Sequence, residues 1–189
     1  MGSACLSGVE LRMRARSEAF GLSLHPDKTR LIRFGRFAAL NRQERGLGKP
    51  ETFNYLGFTL ACGTKRSGGF QILRRTRSDR MQVTLQRVKE ELQCRRHEPI
   101  PIQGQGLSQV IRGFNAYHAV PTNYRSLVPF RDRVTRLWKR ALMRRGQRAT
   151  IPWERMLRLR DDYLPFQCIL LPWPERRFGV KHPRWEPCA

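Results

Sequence analysis

The chain has 189 residues, which suits one domain of ordinary size or two small ones. It carries 37 Lys and Arg against 15 Asp and Glu, so its formal net charge is +22. This excess repels itself unless an anionic partner screens it, and a pI near 11.4 is typical of proteins that bind nucleic acid. The shortage of carboxylates disfavours an enzyme that gathers several of them around metal ions.

The other residue types narrow the class further. A hydrophobic content of 40% is enough for a packed core and argues against a disordered tail. No apolar run approaches the ~20 residues that a membrane-spanning helix needs, and the N-terminal stretch is too charged for a secretory signal. The five cysteines are odd in number and scattered, which favours reduced thiols in the cytoplasm over disulfides or a zinc site.

The first 75 residues predict a small β-containing part. It is predicted to begin with a basic helix at 8–20 that ends at Gly21, followed by a turn at Pro26 and Asp27 and a short strand at 29–34. A loop or connecting element is predicted at 35–50. After it come an aromatic β-prone segment at 52–61, a glycine turn at 67–69 and a returning strand at 69–74. The last three elements together predict a β-hairpin.

From residue 76 the hydrophobic period becomes helical, and four helices are predicted. The first follows Ser78 as its N-cap and is stopped by Pro99 and Pro101. The other three are predicted at 107–120, 123–146 and 150–160, and the helix at 107–120 is predicted to carry on one side Leu107, Val110, Ile111, Phe114 and Tyr117. A proline-rich tail from residue 165 is predicted to be extended and to wrap over these helices.

The third helix of this set carries the strongest functional signal. Its inward face is predicted to hold Leu127, Val134, Leu137, Trp138 and Ala141, and its other face Arg133, Arg136, Lys139, Arg140, Arg144 and Arg145. Arginines at i, i+4 spacing repel each other, and Asp132 is the one acid of the sequence between 122 and 153. A nucleic-acid backbone would reverse that repulsion, so this face is predicted to bind phosphates.

The sequence predicts no self-contained active site. Asp161 and Asp162 are adjacent carboxylates, but no third one is near them in sequence. They are therefore interpreted as charges that answer neighbouring arginines rather than as a magnesium site. The four histidines lack metal-site spacing, and no serine or cysteine lies in a nucleophile elbow.

Two segments resemble the final palm motifs of group II intron reverse transcriptases. The first is GLSLHPDKTRLIRFGRFA at 21–38, where the family's closing palm motif places a lysine near the polymerase site, here Lys28. The second is KPETFNYLGFTLACG at 49–63, where Phe53–Phe58 matches the hairpin that grips the primer strand in that family. Further on, IRGFNAYHAVPTNYRSLVPFRDRVTRLWKRAL at 111–142 resembles the thumb, the maturase-specific domain that binds intron RNA.

The resemblance covers residues from about 18 to 189, since the ending HPRWEPCA is also similar to that of bacterial members. It implies an α+β fold that is mainly α. The implied domains are a partial palm with its closing strands and primer-grip hairpin at 1–75, a helical thumb bundle at 76–160 and a Pro/Trp-rich C-terminal extension at 161–189.

The catalytic Tyr-x-Asp-Asp hairpin of the family does not occur in this sequence. The resemblance therefore implies an RNA-binding C-terminal part of a reverse transcriptase/maturase, which assists intron folding and splicing without its own polymerase site. It implies no cofactor, although the intact family uses Mg²⁺. Three alternatives stay open: a subunit of a split RNA-directed DNA polymerase completed by a separate fingers–palm chain, a decayed gene product, and a basic structural protein of a ribonucleoprotein particle.

The predicted partners of the chain follow from these hypotheses. They are group II intron RNA first, with primer–template nucleic acid and a separate fingers–palm polypeptide as further candidates, and not a membrane. The residues predicted to contact nucleic acid are Lys28, Arg30, Tyr55, Leu56, Gly57, Arg112, Arg133, Arg136, Lys139, Arg140, Arg144 and Arg145.

Overall fold

A computed structural model describes residues 3–25, 29–146 and 150–173. These residues form six helices and a three-stranded sheet, so the fold is mixed α and β and mainly helical, as predicted. They divide into two compact units. The first holds the residues before 52 together with 64–71, and the second holds 52–63 together with 72–173.

The first unit begins with helix α1, Ser3–Ala19. Its end is a Schellman motif, in which the N–H of Gly21 donates to the Glu18 carbonyl and the N–H of Leu22 to the Ser17 carbonyl, both at 2.9 Å. Gly21 has a φ of +68°, which glycine adopts readily because it has no Cβ. The predicted end at Gly21 is confirmed, whereas the helix begins at Ser3 rather than at residue 8.

The rest of the first unit departs from the sequence prediction. Residues 29–34 do not form a strand, and Ala38–Gln43 form helix α2 within the segment predicted as a loop or connecting element. A strand needs a hydrogen-bonded neighbour, so a loose apolar alternation is not sufficient. Here the three strands of the described sheet all come later in the chain. Ion pairs from Arg30 and Arg42 to Glu51 connect the segment instead.

The sheet consists of β1 (Phe53–Tyr55), β2 (Phe58–Thr64) and β3 (Phe70–Thr76), in that order. β1 and β2 are antiparallel with Tyr55 opposite Phe58, so Leu56 and Gly57 alone make the turn. Their φ values of +44° and +76° match a type I′ turn, which suits the twist of a hairpin. The hairpin predicted at Phe53–Phe58 is therefore confirmed as a local structure. The glycine turn between β2 and β3 is confirmed as well, with the Lys65 N–H donating to the Gly69 carbonyl at 2.7 Å.

Four helices follow the sheet: α3 (Ser78–Cys94), α4 (Ile100–His118), α5 (Tyr124–Met143) and α6 (Trp153–Tyr163). α4 begins at Ile100 rather than at residue 107, with Pro99 at its N-cap and Pro101 in its first turn. The two prolines thus open α4 instead of stopping α3, which already ends at Cys94. Proline is favourable there because the first N–H groups of a helix have no helical partner.

Smaller corrections concern other helix ends. Ser78 is the first residue of α3 and Arg77 is its N-cap, so the predicted cap is wrong by one position. Pro152 is the N-cap of α6, which continues past Arg160 to Tyr163.

The hydrophobic core lies among α3, α4, α5 and α6. Trp138 is fully buried there, and its indole Nε1 donates to the Gln103 amide oxygen at 3.0 Å, so its predicted inward position is confirmed. The core also contains Met81, Val88, Leu92, Leu107, Ile111, Phe114, Leu127, Phe130, Val134, Leu142, Met156 and Leu164. Tyr117, predicted on the same side of α4 as Leu107 and Phe114, is exposed, and its ring stacks on Phe58 of β2 at 5.6 Å.

A buried polar cluster connects β3 to the α4–α5 junction. The Asn123 side chain accepts from the Thr76 N–H at 2.9 Å, and it donates to the Thr76 hydroxyl and to the His118 carbonyl, both at 2.8 Å. Asn123 is fully buried, so these bonds are shielded from water. The cluster fixes the start of α3, which follows Thr76, relative to the start of α5.

The last described residues, 165–173, have no regular secondary structure. The N–H groups of Leu170 and Leu171 donate to the carbonyl of Ala119, which places this segment beside the α4–α5 junction. The later part of the predicted wrap, from residue 174, lies outside the described residues. Within the described ranges, no helix combines the length and the apolar character needed to cross a bilayer.

Candidate nucleic-acid interface

A groove runs along the surface between α3 and α5, and we call it the basic groove. Its two adjoining parts have volumes of about 410 and 270 Å³ and share Lys89, Leu137 and Arg140. The residues lining it are Gln82, Leu85, Gln86, Lys89, Leu92, Gln93 and Arg96 from α3 and the turn after it, and Arg133, Arg136, Leu137, Arg140, Ala141 and Arg144 from α5 and its C-cap.

The helical period explains why these side chains meet. Positions 133, 136, 140 and 144 follow one another at intervals of three or four residues, so they form one stripe along α5. Positions 82, 86, 89 and 93 form the corresponding stripe along α3, and Arg96 follows in the turn after it. Because α3 packs more extensively against α5 than against any other element, the two stripes become the walls of one groove.

The floor of the basic groove is apolar. Leu85 and Leu137 are half-buried and pack against the core from its surface side. Leu92 and Ala141 are buried beneath the second part of the groove. The groove therefore combines a hydrophobic floor with walls that carry glutamine amides and cations, and we call the outer ends of the cationic side chains its rim.

The electrostatics of the basic groove are one-sided. Six of its lining residues are cationic, namely Lys89, Arg96, Arg133, Arg136, Arg140 and Arg144, and none is acidic. Within the described part of the chain, no carboxylate lies within ion-pair distance of any of these six. Unpaired like charges held along one groove repel each other and attract an anion of extended shape.

The structure divides the basic face that was predicted on the third helix. Arg133, Arg136, Arg140 and Arg144 line the basic groove together. Lys139 points elsewhere, with its ammonium 4.3 Å from the centre of the Trp153 ring on α6. Arg145 lies beyond the end of α5 and donates to the Glu98 carbonyl at 2.6 Å. Of the six residues predicted on this face, four therefore line the basic groove and two make separate contacts.

Of the remaining predicted contact residues, none that the structure describes lines the basic groove. Arg112 is exposed on α4 and lines neither part of the groove. Arg30 belongs to the first unit, where it pairs with Glu51. Lys28 lies outside the described residues.

Tyr55, Leu56 and Gly57 form the tip of the β1–β2 hairpin. Tyr55 and Leu56 are 60% and 65% exposed, and the Tyr117 hydroxyl donates to the Leu56 carbonyl at 2.6 Å. The hairpin tip and Tyr117 therefore form an exposed aromatic and aliphatic surface that is held in place from α4. Helical spacing predicts Tyr117 on the same side of α4 as Leu107 and Phe114, so its position at this surface was not predicted.

The contribution of α3 to the basic groove was also missed. Lys89 and Arg96 are seven residues apart, and the glutamines between and before them share their helix face. This polar stripe beside the apolar positions of the same helix was a usable signal. Which neighbouring helix the stripe would face depends on tertiary packing, and the spacing alone does not contain that information.

Of the adjacent aspartates Asp161 and Asp162, Asp161 forms the ion pairs that are found in the described part of the chain. Asp161 accepts from the Arg160 guanidinium at 2.8 Å and from Arg131 at 3.1 Å, and the hydrogen bond from Arg160 holds the pKa of this carboxyl below its usual range. Arg131 is almost fully buried and also donates to the Leu164 carbonyl at 2.9 Å. Asp161 therefore forms ion pairs with neighbouring arginines, in agreement with the interpretation of this residue from the sequence. Among the described residues, no three His, Cys, Asp or Glu lie close enough together to hold a metal ion such as Mg²⁺.

Comparison of the chain with protein-family models, with curated protein sequences and with solved structures gives no match. The resemblance to group II intron reverse transcriptases therefore stays a prediction from the sequence. The site itself is defined by its own geometry and charge.

Proposed function

We propose that this chain is an RNA-binding protein and that the basic groove is its principal contact with the RNA backbone. One observation carries the proposal: two packed helices bring six cations to one groove without a carboxylate partner in the described residues. Arginine supplies five of the six, and its planar guanidinium can donate two parallel hydrogen bonds to a phosphate. A net charge of +22 adds long-range attraction for the same partner.

The sequence resemblance suggests which RNA is bound. On that basis we propose group II intron RNA as the target, and assistance to intron folding and splicing as the role. Support comes from the order and spacing of the motifs at 21–38, 49–63 and 111–142. The tight hairpin at Phe53–Phe58 is compatible with the primer-grip hairpin that the resemblance implies.

A charge-reversal experiment tests the groove. The double variant Arg136→Glu with Arg140→Glu places two negative charges in the centre of the basic groove. RNA affinity is expected to fall at least tenfold at moderate salt, and log K against log salt is expected to become shallower by about 0.7 per lost phosphate contact. Fluorescence anisotropy with a labelled structured RNA measures both quantities.

The matched control is Arg155→Glu with Arg158→Glu on α6. These two arginines are exposed and do not line the basic groove, and the change in net charge is identical. Equal loss of affinity in the two double variants would show that only total charge matters and would refute the groove as the principal contact.

The choice of RNA is tested separately, by comparing intron RNA with an unrelated structured RNA of equal length. Equal affinity and equal salt slope for the two RNAs would refute specific maturase function.

A further inference from the structure

We infer that the basic groove holds a single-stranded segment of RNA, with bases against its floor and phosphates along its rim, and not a double helix. This inference rests on the proposed function and names the class of substrate for the same site. It follows from three properties of the groove: its width, the chemistry of its floor and walls, and the direction of its cations.

The width is set by two helices in direct contact. Helices that pack together have axes about 8–10 Å apart, so the groove between their exposed side chains is narrower than a duplex, which is wider than its own ~12 Å major groove. The opposite arrangement, a helix inside a groove of a duplex, requires the helix to protrude. The groove residues of α5 instead lie beside those of α3, so a duplex could only rest across the rim and would leave Leu85 and Leu137 uncovered.

The floor favours bases over phosphates. Phosphate oxygens that approach Leu85 and Leu137 would lose hydration without gaining hydrogen bonds, which is unfavourable. Unstacked bases instead present flat apolar faces, and they also stack on guanidinium planes such as those of Arg136 and Arg140. Bases in a single strand are free to make these contacts, whereas bases in a duplex are already stacked and paired.

The α3 wall matches the edges of bases. Gln82 and Gln93 are exposed and line the two parts of the groove. A glutamine amide carries both a donor and an acceptor, which is the pattern that base edges require. Gln86, which also lines the groove, donates its amide to the Glu90 carboxylate at 2.7 Å and keeps its carbonyl oxygen as an acceptor.

The cations define the direction of the strand. From Arg133 to Arg144 the rise along the helix is about 16 Å, so the arginines follow the length of the groove rather than crossing it. A backbone that tracks a line of cations beside a surface for bases is the general arrangement of single-strand binding grooves. The bound segment is therefore a few nucleotides long and runs parallel to α5.

The test compares one RNA sequence in two forms, using the full chain. A labelled oligonucleotide of about ten nucleotides, within the range of known single-strand site sizes, is measured alone and annealed to its complement. Charge density by itself favours the duplex, so a preference for the single strand reports the groove geometry. We expect the single strand to bind at least fivefold more tightly at the same salt concentration. Equal or tighter binding of the duplex would overturn the inference.

A second pair of variants keeps charge constant. Gln82→Ala with Gln93→Ala is expected to weaken single-strand binding by about three- to tenfold, from lost hydrogen bonds, and to leave duplex binding and the salt slope unchanged. The control is Gln105→Ala with Gln109→Ala, two exposed glutamines on α4. An unchanged single-strand affinity in the variant with Gln82→Ala and Gln93→Ala would contradict base contacts at the α3 wall. The proposed function fails separately, if charge reversal at Arg136 and Arg140 leaves the binding of every RNA unchanged.

Discussion

Gly104 lies on α4 where that helix approaches α6. A Cβ at this position would come within 2.5–2.9 Å of Cγ, Cδ1 and Cβ of Tyr163, atoms near the backbone that cannot move away easily. Tyr163 is further held by an edge contact with the Trp138 ring. We therefore expect Gly104→Ala to lower the free energy of unfolding by about 1–3 kcal/mol in urea titrations.

The control for this substitution is Gly113→Ala on the same helix. Nothing lies within 4 Å of a Cβ built at Gly113, so alanine should gain about 0.5–1 kcal/mol from its higher helix propensity. Opposite signs for the two variants would support the close approach of α4 and α6. Stabilisation by both would show that Tyr163 moves aside at little cost.

His118 should make stability depend on pH. Burial lowers the pKa of its imidazole below the ordinary 6.5. The Thr76 hydroxyl, which accepts from Asn123, lies 3.4 Å from His118 Nδ1 and can donate to it only when that nitrogen is unprotonated. Below pH 6.5 the unfolded chain therefore binds more protons than the folded chain. The contribution of neutral His118 to the free energy of unfolding is thus complete above pH 6.5 and is lost as the pH falls toward the folded-state pKa.

The measurement is the free energy of unfolding from about pH 7.5 to about pH 5.5, above the range in which carboxylates titrate. The wild-type chain is expected to lose stability across this interval. His118→Gln removes the titrating group and should flatten the profile, even though it lowers stability at every pH. A wild-type slope that persists in His118→Gln would assign the pH dependence to other groups.

At the scale of elements, the sequence predicted well wherever one helix face is apolar. The core positions Val88, Leu92, Val134 and Trp138 follow directly from a period near 3.6. The strand predicted at 29–34 was wrong because alternation alone does not supply a pairing partner. Pro99 and Pro101 were misread because proline is equally compatible with ending one helix and opening the next.

In the basic groove, too, the sequence predicted what is local to one helix and missed what depends on tertiary packing. The arginine stripe of α5 was recognised from spacing, since a helix face is a local property. Lys89 and Arg96 were not, because their role depends on α3 packing beside that stripe. Lys139 and Arg145 were included because a wide basic face looks uniform in sequence, whereas contacts with Trp153 and the Glu98 carbonyl separate them.

The Asn123 side chain makes two of the hydrogen bonds that connect β3 to the helices. Asn123→Ala would leave the buried Thr76 N–H and the His118 carbonyl without their present partners. Unfolding free energy is expected to fall by about 2–4 kcal/mol, since each unsatisfied buried group is costly. Asn54→Ala, at an exposed position of β1 with one hydrogen bond to Thr59, is the control and should change stability by less than about 0.5 kcal/mol. Similar effects of the two substitutions would argue against a structural role for the buried cluster.

For the molecule as a whole, the excess of positive charge should lower stability when no polyanion is present. Arg140 has Arg136 and Arg144 at i±4, so Arg140→Glu converts two repulsive pairs into two attractive ones. At low salt this variant is expected to gain about 1 kcal/mol of unfolding free energy while its RNA affinity falls. Arg140→Gln, which removes repulsion without adding attraction, should gain about half as much.

Salt dependence separates this electrostatic gain from a packing effect. At about 1 M salt the screening length is about 3 Å, so the advantage of Arg140→Glu in urea titrations should largely disappear. A variant that is less stable than the wild-type chain at low salt would mean that the Arg140 guanidinium supports the fold. A gain in stability together with a loss of RNA affinity would instead mean that the groove keeps an unfavourable charge distribution in the free protein, which its anionic partner neutralises on binding.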